Sequence, residues 1–261
     1  MINIKNITAL TLFFTASLLK EKANWLLLFF ALLSALISLS LSHVDIALRY
    51  KLFEDLLLAT QSSLLVIAAI FYSFILLQKE RLQGIFILPL SSGVSRFSYQ
   101  LAVFKAIIFT LFLLFLMFFC VDAIMLFGVE GVFRWEILLQ AFLYFLSASM
   151  LSSIVIFFSR FVSVMNAALY GVILFFIGNG LDELLVYAQS EGGEIFVLFS
   201  KALFILLPNF SLFDYQSQVV NQVSLDYLDI TLSVLYFFTY MYFLVFATTW
   251  KFSKKALKIG N

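Results

Sequence analysis

The chain has 261 residues, of which 64% are hydrophobic and only 12% charged, with a formal net charge of +1 and a mean hydropathy of +1.08. A soluble domain carries about 25% charged residues, so this chain cannot cover a water-facing surface. Repeated apolar runs of about 20 residues, the helical length that crosses a bilayer core, point to lipid as its solvent.

Residues 4–19 come first. Ile4, Ile7, Leu10, Phe14 and Leu18 recur at spacings of three and four, with Thr8, Thr11 and Thr15 as a second stripe. That pattern predicts an amphipathic helix lying in a membrane interface, with 1–22 as an interfacial N-terminal element. The stretch 9–19 is interrupted by Thr11 and Thr15 and is followed by Lys20-Glu21-Lys22. It does not read as a cleaved signal, so the chain is expected to stay whole.

Six segments are long and apolar enough to span, at 24–42, 56–77, 101–127, 137–159, 162–180 and 230–250. Trp25 opens the first at headgroup depth. A seventh candidate, 195–207, is short, carries Lys201 and stops at Pro208-Asn209, which suits a re-entrant helix better than a span. His43 and Asp45 read as a solvated span end rather than a ligand set, and Cys120 sits alone in an apolar run. The 34 phenylalanines read as lipid-facing substitutes for leucine.

Charge sets the orientation. With a cytoplasmic N-terminus and six spans, twelve Lys/Arg fall inside: Lys5, Lys20, Lys22, Lys79, Arg81, Arg96, Lys105, Arg160, Lys251, Lys254, Lys255 and Lys258. Four fall outside: Arg49, Lys51, Arg134 and Lys201. This positive-inside bias predicts a multi-pass membrane protein with both termini cytoplasmic. It also places 79–98 inside as the longest cytoplasmic loop between spans, makes Ser159-Arg160 a tight turn, and leaves 181–229 as an outer re-entrant region before the last span.

Within the inner loop, "QKERLQGIFILPLSSGVSRFSY" (78–99), Leu82, Ile85 and Phe86 fall at i, i+3 and i+4. The spacing predicts a short helix with one apolar face, broken by Pro89 and Gly93, although a plain connecting loop fits equally well. Small residues on the first span (Ala31, Ser34, Ala35, Ser38) and on the fifth (Ala167, Gly171) allow close helix contact, either across a dimer or within one subunit. Asp122 and Asn166 are the polar candidates at membrane depth, and Asp122 can also be read as reaching the outer headgroups.

The inner loop resembles the cytoplasmic loop of type-2 ATP-binding-cassette exporter permeases. The matching residues are Glu80, Gly84, the apolar run to Leu90, Val94-Ser95-Arg96, Tyr99 and Lys105. Gly93 stands where proline is usual, and Pro89 lies four residues earlier. "LLPNFSLFDYQSQVV" (206–220) is similar to the Leu-Pro-Asn-x-x-x-Phe segment that many such permeases carry. The likeness covers the whole chain in layout.

The resemblance implies a single all-α permease domain over 1–261, dimeric with itself or a second permease, seated on ATPase subunits. It makes 79–98 the coupling loop, with Glu80, Leu82, Gly84, Ile85, Phe86 and Arg96 contacting the ATPase. Ala31, Ala35, Ala167 and Gly171 would then lie at the permease interface. The chain has no G-x-x-x-x-G-K-[ST] stretch, so ATP hydrolysis is expected on a separate chain and this subunit is not expected to be an enzyme. Membrane lipid is the expected surround; no cofactor, metal or nucleic-acid partner is expected. The competing reading is a membrane scaffold or assembly factor without transport activity, for example in multi-copper enzyme maturation.

Overall fold

Every regular element in the computed structural model, which describes residues 4–40, 46–85, 87–91, 93–130 and 134–254, is helical. In chain order these are α1 (Ile4–Leu19), α2 (Ala23–Ser40), α3 (Ile46–Gln83), α4 (Ile87–Ser91), α5 (Arg96–Glu130) and α6 (Trp135–Ser159). They continue with α7 (Val164–Asn179), α8 (Leu181–Glu191), α9 (Glu194–Leu206), a 3-10 turn (Ser211–Phe213), α10 (Gln216–Val220) and α11 (Tyr227–Lys254). Among the described residues, four helices (in α3, α5, α6 and α11) are long and apolar enough to cross a membrane. The number rises to six if α7 with α8, bent by 43°, and α9 with Ser211–Val220, bent by 61°, each count as one span.

The apolar runs read from the sequence coincide with α2, α3, α5, α6, α7 and α11, but several helices extend past the grease. Helix α3 has 38 residues, about 57 Å at 1.5 Å per residue, against a hydrocarbon core of about 30 Å. It therefore takes in Lys51, Glu54 and Asp55 at one end and Lys79, Glu80 and Arg81 at the other. Residues 46–55, expected in an outer loop, are its first three turns.

Helix α6 is the axis of the bundle, with most of its length buried against α3, α5, α7 and α11. Its buried Ser147, Ser149, Ser152 and Ser153 keep its surface small enough for neighbours to approach. Ser152 and Ser153 donate to the Ser149 carbonyl at 2.8 Å, so their polarity is absorbed within the helix. Between α5 and α6 the gap is filled by rings: Phe112 and Phe145 lie 5.6 Å apart, Phe115 and Phe145 5.7 Å. These phenylalanines pack helix on helix rather than facing lipid. Helices α3 and α6 run parallel, since Glu54 meets Arg134 at one end and Glu80 meets Arg160 at the other.

The predicted amphipathic helix exists as α1, but its stripe is buried in protein. Ile7, Phe14 and Leu18 are in the core, and Phe14 meets Tyr99 of α5 edge-on at 5.8 Å. Leu12, Phe13 and Leu19 face outward instead. Packing against α5 rewards a continuous apolar stripe as well as lipid does, and periodicity alone cannot distinguish the two.

The short helix expected at 195–207 is α9, and it forms a hairpin with α8 through Gly192 and Gly193. The 207–220 segment then folds back onto the bundle. Gly178 makes this possible: a Cβ there would collide with the Pro208 carbonyl and stand 2.6 Å from the Phe210 ring, and Phe210 N–H donates to the Gly178 carbonyl at 3.2 Å. Asn209 locks the return. Its side chain donates to Asp182 of α8 at 3.2 Å and accepts from Ser211 N–H at 3.1 Å, while its own N–H donates to the Tyr236 hydroxyl of α11 at 3.0 Å.

Candidate functional site

Successive helical residues point about 100° apart, so the three charges that end α3 diverge. Lys79 turns to the α1–α2 junction, donating to Glu21 at 2.5 Å and to Ser17 at 2.9 Å. Glu80 turns inward. Both its oxygens accept from the Arg160 guanidinium, at 2.9 and 3.1 Å, and Arg160 also donates to Gln100 of α5 at 2.7 Å. Arg81 donates to the carbonyls of Ser159 and of Val162, the latter at 2.7 Å. One turn of α3 thus grips α1, α5 and the tight turn between α6 and α7 together.

Burial sets the weight of these contacts. Glu80 and Arg160 keep only 5% and 10% of their side-chain surface exposed, whereas Lys79 and Glu21 keep 24% and 28%. A two-pronged guanidinium–carboxylate pair in a dry site orients its elements far more firmly than an exposed pair.

Beyond this clasp α3 ends, and the chain stays packed on the core through Ile85, Leu90 and Val94. Gly84 ends α3 with φ +61, a left-handed conformation suited to glycine, and its carbonyl accepts from Ile87 N–H at 2.8 Å. Helix α4 follows as one turn, with Pro89 inside it, where a missing N–H costs nothing. Gly93, at φ +86, and Ser95 then lead into α5. Ser95 caps α5 by accepting from Ser98 N–H at 3.1 Å.

This differs from the helix expected from Leu82, Ile85 and Phe86. Leu82 lies on the last turn of α3 and is 75% exposed; Ile85 sits in the turn after Gly84, half-buried against the core. Phe86 lies outside the described residues. The short helix starts at Ile87, itself 50% exposed. Gly84 interrupts the spacing, so Leu82 and Ile85 do not share one helical face. Arg96 is the first residue of α5 and is half-buried.

Of the residues assigned to a subunit interface, Ala167 and Gly171 are buried within the chain. A Cβ on Gly171 would stand 2.5 Å from Val155 of α6, so this small-residue stripe serves the α6–α7 contact. The opposite face of α7, with Leu169, Tyr170, Ile173 and Phe176, is exposed. Ala31 is buried. The side chain of Ala35 lies outside the described residues, as do His43 and Asp45. Asp122 is half-buried on α5, and Asn166 is exposed in the first turn of α7.

The far end of the bundle carries a second polar network that the sequence reading missed. Buried Glu54 pairs with Arg134, which also donates to the Val219 carbonyl at 2.7 Å. Gln140 donates to the Phe213 carbonyl at 3.1 Å and accepts from Tyr215 N–H at 3.0 Å. The Tyr144 hydroxyl donates to Gln216 at 2.5 Å, and Gln216 donates to Asp55 at 2.6 Å. These contacts moor the 207–220 segment to α3 and α6. The only sequence signal was polar residues inside helical runs, Gln140 above all.

Comparison with protein-family models, with curated proteins and with solved structures returns no match.

Proposed function

We propose that this chain is the permease subunit of a type-2 ATP-binding-cassette exporter, working as a dimer of permeases in the bacterial inner membrane and powered by a separate ATPase. The observation that carries the reading is α4: a one-turn helix beyond the ends of two long helices, beside exposed Leu82 and Ile87. In this reading six helices cross, α2, α3, α5, α6, α7 and α11, while α8–α9 re-enters from the outside and the α4 end lies in the cytoplasm. The twelve-to-four division of Lys and Arg supports that orientation.

In this reading, ATP-driven closure of the ATPases pushes α4. The push reaches α3 and α5 through Gly84 and Ser95, and passes through Glu80 and Arg81 into the α6–α7 turn. A rigid clasp at that point converts a local displacement into a rearrangement of packed helices. The partner permease packs on the exposed face of α7 rather than on Ala167 and Gly171. Apolar anchors in a partner's groove each contribute on the order of 1.5–3 kcal/mol.

The test is co-purification. The chain extracted in mild detergent should bring down an ABC ATPase in comparable amount, and the Leu82→Asp/Ile87→Asp variant should insert normally yet lose that partner. Membrane-inserted protein that purifies without any ATPase, in wild type and variant alike, would favour the scaffold reading.

A further inference from the structure

A cleft of about 350 Å³ opens between α2, α3 and α5 beside the α1–α2 junction, within the range of about 300–1,000 Å³ of small-molecule sites. Its walls are apolar, from Leu28 on α2 and Leu113, Leu114 and Met117 on α5, and its polar groups are Asn24, Tyr72 and Thr110. Asn24 and Tyr72 are tied up: the Tyr72 hydroxyl donates to the Asn24 side-chain oxygen, and the Asn24 amide donates to the carbonyls of Leu18 and Leu19 at 3.0 and 2.8 Å. Tyr72 lies seven residues, about 10 Å of helix rise, before Lys79. The polar end of the cleft therefore sits near the basic end of the bundle, and the apolar part runs away from it.

Three further groups belong to that polar end, one in its lining and two beside lining residues in the chain. Lys20 directly follows the lining residue Leu19, and Lys22 stands two residues before Asn24; both are exposed, with no side-chain hydrogen bond or ion pair among the described residues. Trp25 lines the cleft, is 75% exposed, and its indole N–H has no partner among the described residues. Two cations and an indole at the mouth of an apolar slot match a molecule with a phosphate, an ester carbonyl and a hydrocarbon chain, in that order.

We infer that this cleft binds one anionic phospholipid of the adjoining leaflet, its phosphate at Lys20 and Lys22, its ester region at Trp25, and one acyl chain along Leu28, Leu113 and Met117. The site requires only that the bundle lies in a membrane, so it does not depend on the transport reading. Basic pockets between membrane helices attract anionic headgroups, each lysine near the surface giving roughly a fivefold preference, hence about thirtyfold for the pair. The preference should weaken as added salt screens the charges.

The experiment uses the full chain with Trp135→Phe and Trp250→Phe, so that Trp25 is the sole fluorophore. It is reconstituted into phosphatidylcholine vesicles holding a minor fraction of lipid brominated on its acyl chains. Brominated phosphatidylglycerol should quench Trp25 at a far lower fraction than brominated phosphatidylcholine does. Lys20→Ala/Lys22→Ala, two surface changes, should bring the two lipids together. Leu113→Trp, with Trp25 kept, should fill the slot and abolish retention of phosphatidylglycerol in native mass spectra. Equal quenching by both lipids in the parent chain would overturn the site. So would lipid retention undiminished by Leu113→Trp, which would make the lysines a surface attraction without a cleft.

Discussion

Replacing Glu80 by glutamine removes the charge from one side of the two-pronged pair with Arg160 while keeping the side chain's size. Both partners are at least nine-tenths buried, and removing one member of a buried pair costs about 3–5 kcal/mol, because the other charge is left without compensation. Against a typical stability of about 5–15 kcal/mol, the variant should still fold but melt early. At about 2–4 °C per kcal/mol for a chain of this size, Glu80→Gln should lower the unfolding midpoint by roughly 6–20 °C. Glu21→Gln is the matched control. Its partner Lys79 is partly solvated, and such pairs contribute about 0–1 kcal/mol, so its midpoint should move by at most about 4 °C. The double variant Glu80→Gln/Arg160→Gln should recover part of the loss, since the stranded guanidinium is gone. Thermal unfolding in detergent, followed by tryptophan fluorescence, reads all four proteins. If Glu80→Gln melts within the same few degrees as Glu21→Gln, the pair does not fasten α3 to the α6–α7 turn, and the proposed route of force fails.

Gly178→Val should lower the midpoint by several degrees, because its side chain meets the Pro208 carbonyl and the Phe210 ring and overpacking of this kind costs about 1–3 kcal/mol; an unchanged midpoint would mean that the 207–213 segment can move away freely. Cysteines placed one at a time in a Cys120→Ser background should map the sides of the membrane. An impermeant thiol reagent added outside intact cells should label Glu191→Cys and spare Lys255→Cys, and strong labelling at 255 would end the six-span orientation.

The long apolar helices α3, α5, α6 and α11 were legible because lipid imposes a long, coarse signal: about twenty apolar residues mark a candidate crossing whatever their packing. Helix α1 was legible from its spacing, yet the partner of its stripe was not, since α5 and lipid are equally apolar. The start of α3 was missed because Lys51, Glu54 and Asp55 look like a loop when read alone; Asn221, Arg134 and Gln216 meet them from distant parts of the chain. Helix α8 was passed over because Asp182 and Glu183 open it with charge. In the inner loop, Gly84 rather than Pro89 ends the preceding helix, which only its positive φ reveals. The Glu80–Arg160 pair joins residues 80 positions apart, and no local pattern announces it. The Ala167/Gly171 stripe signalled close approach without saying to which neighbour.

The central claim, that α4 and its flanks meet an ATPase, is tested most directly by cross-linking from position 87. A photoreactive residue replacing Ile87, in cells that make the chain at normal levels, should yield on irradiation an adduct of permease plus ATPase. The same residue at Phe176, on the exposed face of α7, should give permease–permease adducts and none with the ATPase. Position 87 adducts containing only lipid, or position 87 labelled by a reagent confined to the outside of the cell, would contradict the claim.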